Sequence, residues 1–495
     1  MKNIKFISLT LLLLSIIPAT KAQETFLKIY PSSDCREIYS VIESDDNNLI
    51  FCGVINTNPE HTTSVGTMMK IAMNGEIVDS TNYAFENGNS YFSELVNPTN
   101  TNSSYFLSGS IDSIGSDKSY NSVFIHSIDN DMNIVEQRNF GMWPDTVNTP
   151  WDFEILDDTT AYILSFFKTP NSSLSYNYSI IKAHLTNGEY DYFVADDSTN
   201  KAITSLIIDK VSELIKINYM VFHLPWVPYN PIAKISYDLS NIEIVMPDNE
   251  FHSQTKLAKI NDSSYFLSGQ FYEEYIRNLG LSKYNLNDSL LYTITLPGET
   301  GSITYPGMGK KNILATTDYI WVMGWYYVGD YFPPCAHTSF IVLNKLNYNL
   351  ELIEQIFYGQ DDAYLPKDII ETSDNHIVVV GDYYDIQSYD CISHPFVLKV
   401  NSEGLIVNTD NNNMPQAMEA IIIPNPGKDF LQVKLGVQHN TATLQLFDLN
   451  GRLVLTEVVV TDMQHIDTSE LTKGFYPYRI STSNKVIGMG KWIKE

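Results

Sequence analysis

Leu49-Ile-Phe-Cys-Gly53, Tyr105-Phe-Leu-Ser-Gly109, Tyr265-Phe-Leu-Ser-Gly269, Ile320-Trp-Val-Met-Gly324 and Ile377-Val-Val-Val-Gly381 are five versions of one pattern, an apolar strand ending in glycine. Ala161-Tyr-Ile-Leu-Ser165 and Glu213-Leu-Ile-Lys-Ile217 continue the series without the glycine. A second anchor follows each copy: a lysine flanked by apolar residues, then a polar turn and another apolar strand. It reads Met69-Lys70-Ile71 with Asn74-Gly75, Ile181-Lys182 with Asn187-Gly188, Ala233-Lys234-Ile235, Ser282-Lys283, Asn344-Lys345-Leu346, and Leu398-Lys399-Val400 with Glu403-Gly404. The remaining copy, Phe124-Ile125-His126, carries histidine instead. A repeat of about 55 residues with four short strands per copy is the period of a β-propeller blade, which cannot bury both faces alone. Seven copies between about Phe26 and Asp410 predict an all-β, seven-bladed propeller. Phe26-Leu-Lys-Ile-Tyr30 resembles the outer strand that ends each repeat, as in Glu354-Gln-Ile-Phe-Tyr358. It is expected to pair beside the last blade, closing the ring and removing an exposed sheet edge.

Composition agrees with a folded, strand-rich chain. Of 495 residues, 44% are hydrophobic and 18% charged, with 32 Tyr. The formal net charge is −27, with no basic run. Nucleic acid is excluded as a general partner, because phosphate affinity comes from clustered Lys and Arg. Residues 1–22 read as a secretory signal: Lys2 and Lys5 precede the apolar run Phe6 to Ile17, and Thr20-Lys21-Ala22 offers a small-residue cleavage site. A run of that length is short of the ~20 residues a span needs, and no later segment is apolar enough to serve as a transmembrane segment. The domain division is therefore signal peptide 1–22, propeller 23–411 and a C-terminal domain 412–495.

The C-terminal stretch follows the Asn-rich linker Asp410-Asn-Asn-Asn413. It contains Pro424-Asn425-Pro426, then Leu431-Gln-Val-Lys-Leu435, Asp448-Leu-Asn-Gly451-Arg452, Leu471-Thr-Lys-Gly474-Phe-Tyr476 and the basic end Gly490-Lys491-Trp492-Ile493-Lys494. Alternation around Asn450-Gly451 predicts a hairpin within a small immunoglobulin-like β-sandwich. In motif order this stretch resembles the type A C-terminal sorting domain of the type IX secretion system of Bacteroidota, with Pro477 as a departure where that family continues a strand. The resemblance implies handling by the type IX secretion machinery and a sortase-like peptidase, passage through the periplasm, and a fate that is secreted or at the outer-membrane surface. The sorting motif it implies comprises Pro424, Asn425, Pro426, Asp448, Gly451, Arg452, Leu471, Gly474, Tyr476 and Lys491.

In an antiparallel blade with strands A to D, counted from the ring axis, the A–B and C–D turns share one face and the B–C and D–A loops the other. The first set is short and polar; the second is long and aromatic. Trp143, Trp151, Trp226, Tyr229, Tyr272, Trp325, Tyr327 and Tyr383 are the expected binding residues, since flat rings with a polar edge suit a sugar or an extended peptide. Of the four cysteines, a hairpin at Asp46-Asn47 keeps Cys35 and Cys52 apart, whereas Cys335 and Cys391 occupy matching B–C loops and are expected to form a disulfide. A zinc set of Cys335, His337, Cys391 and His394 stays open beside it, as does calcium at Asp196-Asp197 or Asp361-Asp362; otherwise no cofactor is implied. Signatures of serine hydrolases, zinc peptidases, phosphate loops and sialidases are absent from the sequence. The leading expectation is a non-catalytic module binding glycan or protein through the aromatic loops. The alternative is a polysaccharide-acting hydrolase or lyase with carboxylates at the central channel mouth.

Overall fold

The computed structural model describes residues 25–56, 63–85, 88–97, 105–114, 119–141, 147–168, 177–195, 201–221, 230–247, 251–273, 276–296, 302–307, 309, 311–328, 337–359, 362–388, 391–406, 418–449, 452–461, 463–483 and 485–495. The signal peptide lies outside them. Every regular element is a β-strand. Seven consecutive blades span 35–83, 88–141, 147–194, 201–245, 251–295, 302–358 and 363–400. The inner strand of blade 6 is split into Ser302–Pro306 and Ile313–Ala315, both paired with Ile320–Val328. Blade 7 takes its outer strand from the other end of the chain: Phe26–Ile29 pairs antiparallel with Ser393–Val400, Phe26 opposite Lys399 and Ile29 opposite Phe396. The ring closes as expected. Phe26 and Leu27 are buried, each stabilising the seam by about 1.5–3 kcal/mol on area grounds.

The recurring glycine has a steric cause. Each intact inner strand carries a β-bulge near its middle, for example between Ile38 and Ser40, Phe92 and Glu94, Pro150 and Asp152, and Pro366 and Asp368. The bulge presses the inner strand onto its neighbour. A Cβ on Gly53 would stand 1.9 Å from the Glu37 carbonyl oxygen, one on Gly109 2.3 Å from that of Tyr91, and one on Gly381 2.0 Å from that of Leu365.

In blades 1, 4, 6 and 7 the recurring lysine clips neighbouring blades together on the A–B/C–D face. Lys70 Nζ donates to Asp46 at 2.6 Å and to the Asn130 carbonyl of the next blade at 2.7 Å. Lys399 reaches Asp374 at 2.9 Å and lies 3.5 Å from the Met73 carbonyl across the closing seam. Lys345 reaches Glu403 of blade 7 at 2.6 Å. Between blades 4 and 5 the anchor is doubled: Lys216 and Lys234 both bind Asp288, at 2.7 and 3.0 Å. His126 replaces the lysine in blade 2. It is buried and stacked on Phe124 with ring centroids 4.2 Å apart, and burial pushes its imidazole down to about 4, so it stays neutral.

Residues 420–494 form a sandwich of two sheets, one ordering Ala420–Ile423, Phe430–Leu435, Met463–Asp467 and the other Leu453–Val459, Ala442–Phe447, Gly474–Ser481, Val486–Lys494. Leu431, Val433, Leu444, Leu446, Ile480 and Trp492 fill the space between them. The strand Gly474–Ser481 runs through Pro477, which pairs with Lys491 on one side and lies past the last pair, Leu446 with Tyr478, on the other. The sandwich rests on blade 6, where Met418 and Phe357 exchange two backbone hydrogen bonds of 2.9 Å.

Candidate functional site

Residues at and just after the inner-strand bulges line the ring axis, and their chemistry divides in two. At four of the seven seams the residue after the bulge turns sideways and accepts the backbone N–H of the next blade. Ser40 Oγ accepts from Leu95 at 3.3 Å, Asp152 Oδ2 from Leu206 at 2.6 Å, Ser205 Oγ from Leu257 at 2.7 Å, and Asp368 Oδ2 from Val41 at 2.9 Å. These latches satisfy amides that the bulges withdraw from the ladder. Glu94 and Lys256 hold the equivalent position in blades 2 and 5 and are too long for that bond. Lys256 Nζ instead donates to the Thr204 carbonyl at 3.0 Å and sits 5.0 Å from the Trp151 ring.

Glu94 meets Lys311 of blade 6, three blades away around the ring, at 3.7 Å. Such an ion pair must cross the axis. Asp368, Glu154 and Asp152 also act on Lys311; burial alone would push its ammonium down, but the four carboxylates outweigh burial and hold it up. The Lys311 side chain nonetheless keeps 43% of its accessible surface, so it stands in an open channel and not in a dry core. Glu154 goes the other way. Burial, with Asp152 and Glu94 nearby, pushes its carboxyl up to about 8 against the pull of Lys311, which leaves it largely protonated at neutral pH.

A second group lies nearer the B–C/D–A end of the channel. Lys367, beside the Asp368 latch, contacts Asp382 and reaches Glu37 at 3.1 Å, with its ammonium 4.2 Å from the Tyr39 ring centroid. Tyr39 donates to Glu37 at 2.7 Å and packs on Tyr91 at 5.1 Å. Burial raises the Asp382 carboxyl against the attraction of Lys367, and burial likewise raises the Tyr39, Tyr91 and Tyr384 hydroxyls, which remain neutral donors.

The expected aromatic residues fare differently. Trp143, Trp226 and Tyr229 lie outside the described residues, as do the side chains of Tyr272 and Tyr327. Trp151 is wedged in place, its Nε1 donating to the Thr204 carbonyl at 2.9 Å and its ring edge-on to Phe166 at 5.2 Å. Tyr383 is tied to Asp362 at 2.8 Å and packs on Tyr364 and His394. Trp325 corrects the expectation outright: it is 2% exposed, because an apolar ring at the heart of a blade strand gains more from packing than from facing water. Among the described side chains, inner-strand charges converge on the axis. A period-two reading of the inner strands would have found Glu94, Asp152, Glu154 and Asp368 together, had the bulges been legible.

Cys35 and Cys52 are not disulfide-bonded and Cys35 pairs across the ladder with Asn56, while Cys391 is disulfide-bonded. Cys335 lies outside the described residues; we propose it as the partner of Cys391. A disulfide at Cys391 removes it from a zinc set, and His394 Nδ1 instead accepts from the Ser32 amide at 3.1 Å. Asp196, Asp197 and Asp361 lie outside the described residues. No group of three or more His, Cys, Asp or Glu among the described residues is arranged to hold a metal ion.

In the sandwich, Asn425 joins the first strand to the last, donating to the Lys491 carbonyl at 2.8 Å and accepting from the Ile493 amide at 2.9 Å. The Pro424 carbonyl accepts from Trp492 Nε1 at 2.9 Å, while Pro426 leads into Gly427, whose amide bonds the Ile493 carbonyl at 2.8 Å. Asp448 holds the hairpin by accepting from Arg452 N and Nε at 2.9 and 2.8 Å. Gly451 lies outside the described residues. Leu471 packs against the sandwich core, and Tyr476, two residues after Gly474, donates to the Thr472 carbonyl at 2.6 Å.

Together these features define a β-propeller joined to a C-terminal β-sandwich. Residues 421–495 match the family described as "Secretion system C-terminal sorting domain". The sandwich is therefore a type IX sorting domain, and it implies export of the chain to the cell surface or beyond. Among the described residues no helix is long and apolar enough to cross a membrane. No curated protein sequence matches the chain. Similar solved structures include Drosophila Semaphorin 2a (TM-score 0.46, 6% identity, covering 95% of this chain and 99% of that one). Puromycin hydrolase has TM-score 0.44 and 9% identity over 90% of this chain, which spans only 59% of its length. The β-propeller domain of the Trilobed protease from Pyrococcus furiosus has TM-score 0.42 and 8% identity, covering 77% of this chain and 99% of that one. None of these likenesses bears on function.

Proposed function

We propose that the exported propeller is a non-catalytic recognition module that binds a glycan in its axial channel, entered from the B–C/D–A mouth that the aromatic loops flank. One observation carries this: charged groups of four blades meet on the axis around Lys311, at positions where serine would serve the fold. Ser40 and Ser205 make the inter-blade bond from the same strand position without a charge. Burying an ion costs several kcal/mol unless its surroundings repay it, so the buried carboxylates of Glu94, Asp152 and Asp368, gathered around one half-open lysine, point to a ligand that completes them. A polyhydroxylated ligand does so, because each hydroxyl both donates to a carboxylate and accepts from an ammonium.

The test is incubation of the purified chain, lacking its signal peptide, with a panel of polysaccharides and mucin-type glycoproteins, scoring bound protein and released product in the same tubes. Saturable binding without product, weakened about tenfold or more in Lys311→Met, supports the reading. Undiminished binding in that variant removes the channel from it.

A polysaccharide-acting hydrolase is the second reading, favoured by Glu154. A carboxyl held protonated beside two further acids, Asp152 and Glu94, is the pairing that general acid catalysis of glycosidic cleavage uses. New reducing ends that vanish in Glu154→Gln would establish it.

A further inference from the structure

The outer strands of the blades are sheet edges, and most are left to water. Ile77–Tyr83 of blade 1, Ile242–Val245 of blade 4 and Leu290–Thr295 of blade 5 expose most of their residues. Blade 6 differs. In Leu352–Tyr358 the last four residues are buried: Ile356 and Tyr358 face the core shared with blade 7, while Gln355 and Phe357 lie under the sorting domain. Phe357 exchanges both backbone hydrogen bonds with Met418, adding the start of the sandwich to the edge of the blade. Beneath that contact Tyr326, Phe340, Val342 and Phe357 of blade 6 form one apolar cluster with Met418, Ile421 and Ile423 of the sandwich.

Polar contacts frame the cluster. Thr338 Oγ1 donates to the Asn425 carbonyl at 2.9 Å, and Gln438 Nε2 donates to the Gln355 carbonyl at 3.3 Å. The fit is close: a Cβ on Gly436 would come within 2.7 Å of the Gln355 carbonyl oxygen. A dry aromatic centre, a polar frame and strand addition at an edge are the anatomy of a specific interface.

We infer that the outer edge of blade 6 is a receptor for the chain's own sorting domain and holds it without help from the covalent connection through 407–417. Cutting that connection does not free the propeller. Release requires a competitor for the Phe357 strand edge, and the uncovered face then presents three aromatic side chains to water, a patch that favours association.

The test uses the full chain with a site-specific protease sequence placed within 407–417. After complete cutting, the two fragments are expected to co-elute from a sizing column at micromolar concentration. Met418→Asp, which puts a charge into the contact, is expected to raise the released fraction about tenfold or more. Separation of the wild-type fragments overturns the inference, and retention in Met418→Asp equal to wild type overturns the assigned surface. Hydrogen exchange on the wild-type chain is a second readout that needs no variant. The Phe357 and Met418 amides keep their protection after cutting if the contact persists, and exchange about 100-fold faster if it opens.

Discussion

The lysine clips on one face of the ring and the charges along its axis are both buried ions in a protein with few charges, yet they are built to opposite standards. Lys216 is buried against Asp288 at 2.7 Å, Asp209 at 3.8 Å and the Leu286 carbonyl at 2.9 Å, with both acids almost fully enclosed. Lys311 meets Glu94 at 3.7 Å and has open space beside it. The clips are matched pairs that join blades. The axial ring is a crowd of carboxylates around one half-open lysine; Asp152 and Asp368 in it also latch blades, but the charge they carry beyond what a serine latch needs serves a ligand better than the fold.

That contrast can be broken by substitution. Lys216→Met should be the most damaging, about 3–5 kcal/mol, because it takes the counter-ion from Asp209 Oδ2 and leaves Asp288 with Lys234 and the Tyr265 hydroxyl; a chemical denaturation midpoint unchanged from wild type would contradict the clip. Asp368→Ala comes next. It removes the latch between the last blade and the first, leaving the buried Val41 amide unpaired at a cost of about 1–3 kcal/mol. Ser205→Ala, a neutral latch at a seam not used for closure, should cost about 1 kcal/mol. Glu94→Gln should be near neutral or stabilising in the same measurement while weakening glycan binding. A large loss of stability there would place the axial ring with the clips.

The pH dependence sharpens the same division. Burial works against ionised Asp288, but its hydrogen bonds from Lys216 and Lys234 win and hold its carboxyl below the usual range. Its contribution is therefore present above the ordinary carboxylate pKa and is lost as pH falls through the depressed folded value. Glu154 has the reverse sign. With a folded pKa of about 8 against an ordinary 4.5, the folded state holds the proton more tightly, so its share of stability is full below pH 4.5 and declines as pH rises to 8. Glu154→Gln should flatten a melting-temperature profile between pH 5 and 8. The same slope in both proteins would show that Glu154 is not the group responsible.

Much of the ring was legible because each blade repeats a local rule. The glycine anchor marks where an inner strand presses on its neighbour, and the lysine anchor marks a clip. The C–D turns show the limit of such reading. Seven residues, one per blade, hold left-handed φ between 60° and 78°: Gly75, Met132, Gly188, Leu239, Asp288, Leu350 and Gly404. Only the three glycines advertise the conformation. Met132 and Leu350 accept a strained backbone, roughly 1–2 kcal/mol, while their side chains fill the core. The candidate site was hidden for a related reason. One extra residue at each bulge shifts the period-two alternation by a step, so inward and sideways positions cannot be assigned by counting.

The sequence by itself determined the repeat, the seven blades, the strand that closes the ring and the sorting domain, because each depends on local hydrophobic period, turn chemistry or an ordered set of short motifs. Only the tertiary structure decided which charges meet on the axis and which blade edge the sorting domain covers. Glu94 and Lys311 are more than two hundred residues apart, and Phe357 and Met418 are separated by a whole blade. Such contacts arise from bulge register and ring closure, which no single stretch of chain contains.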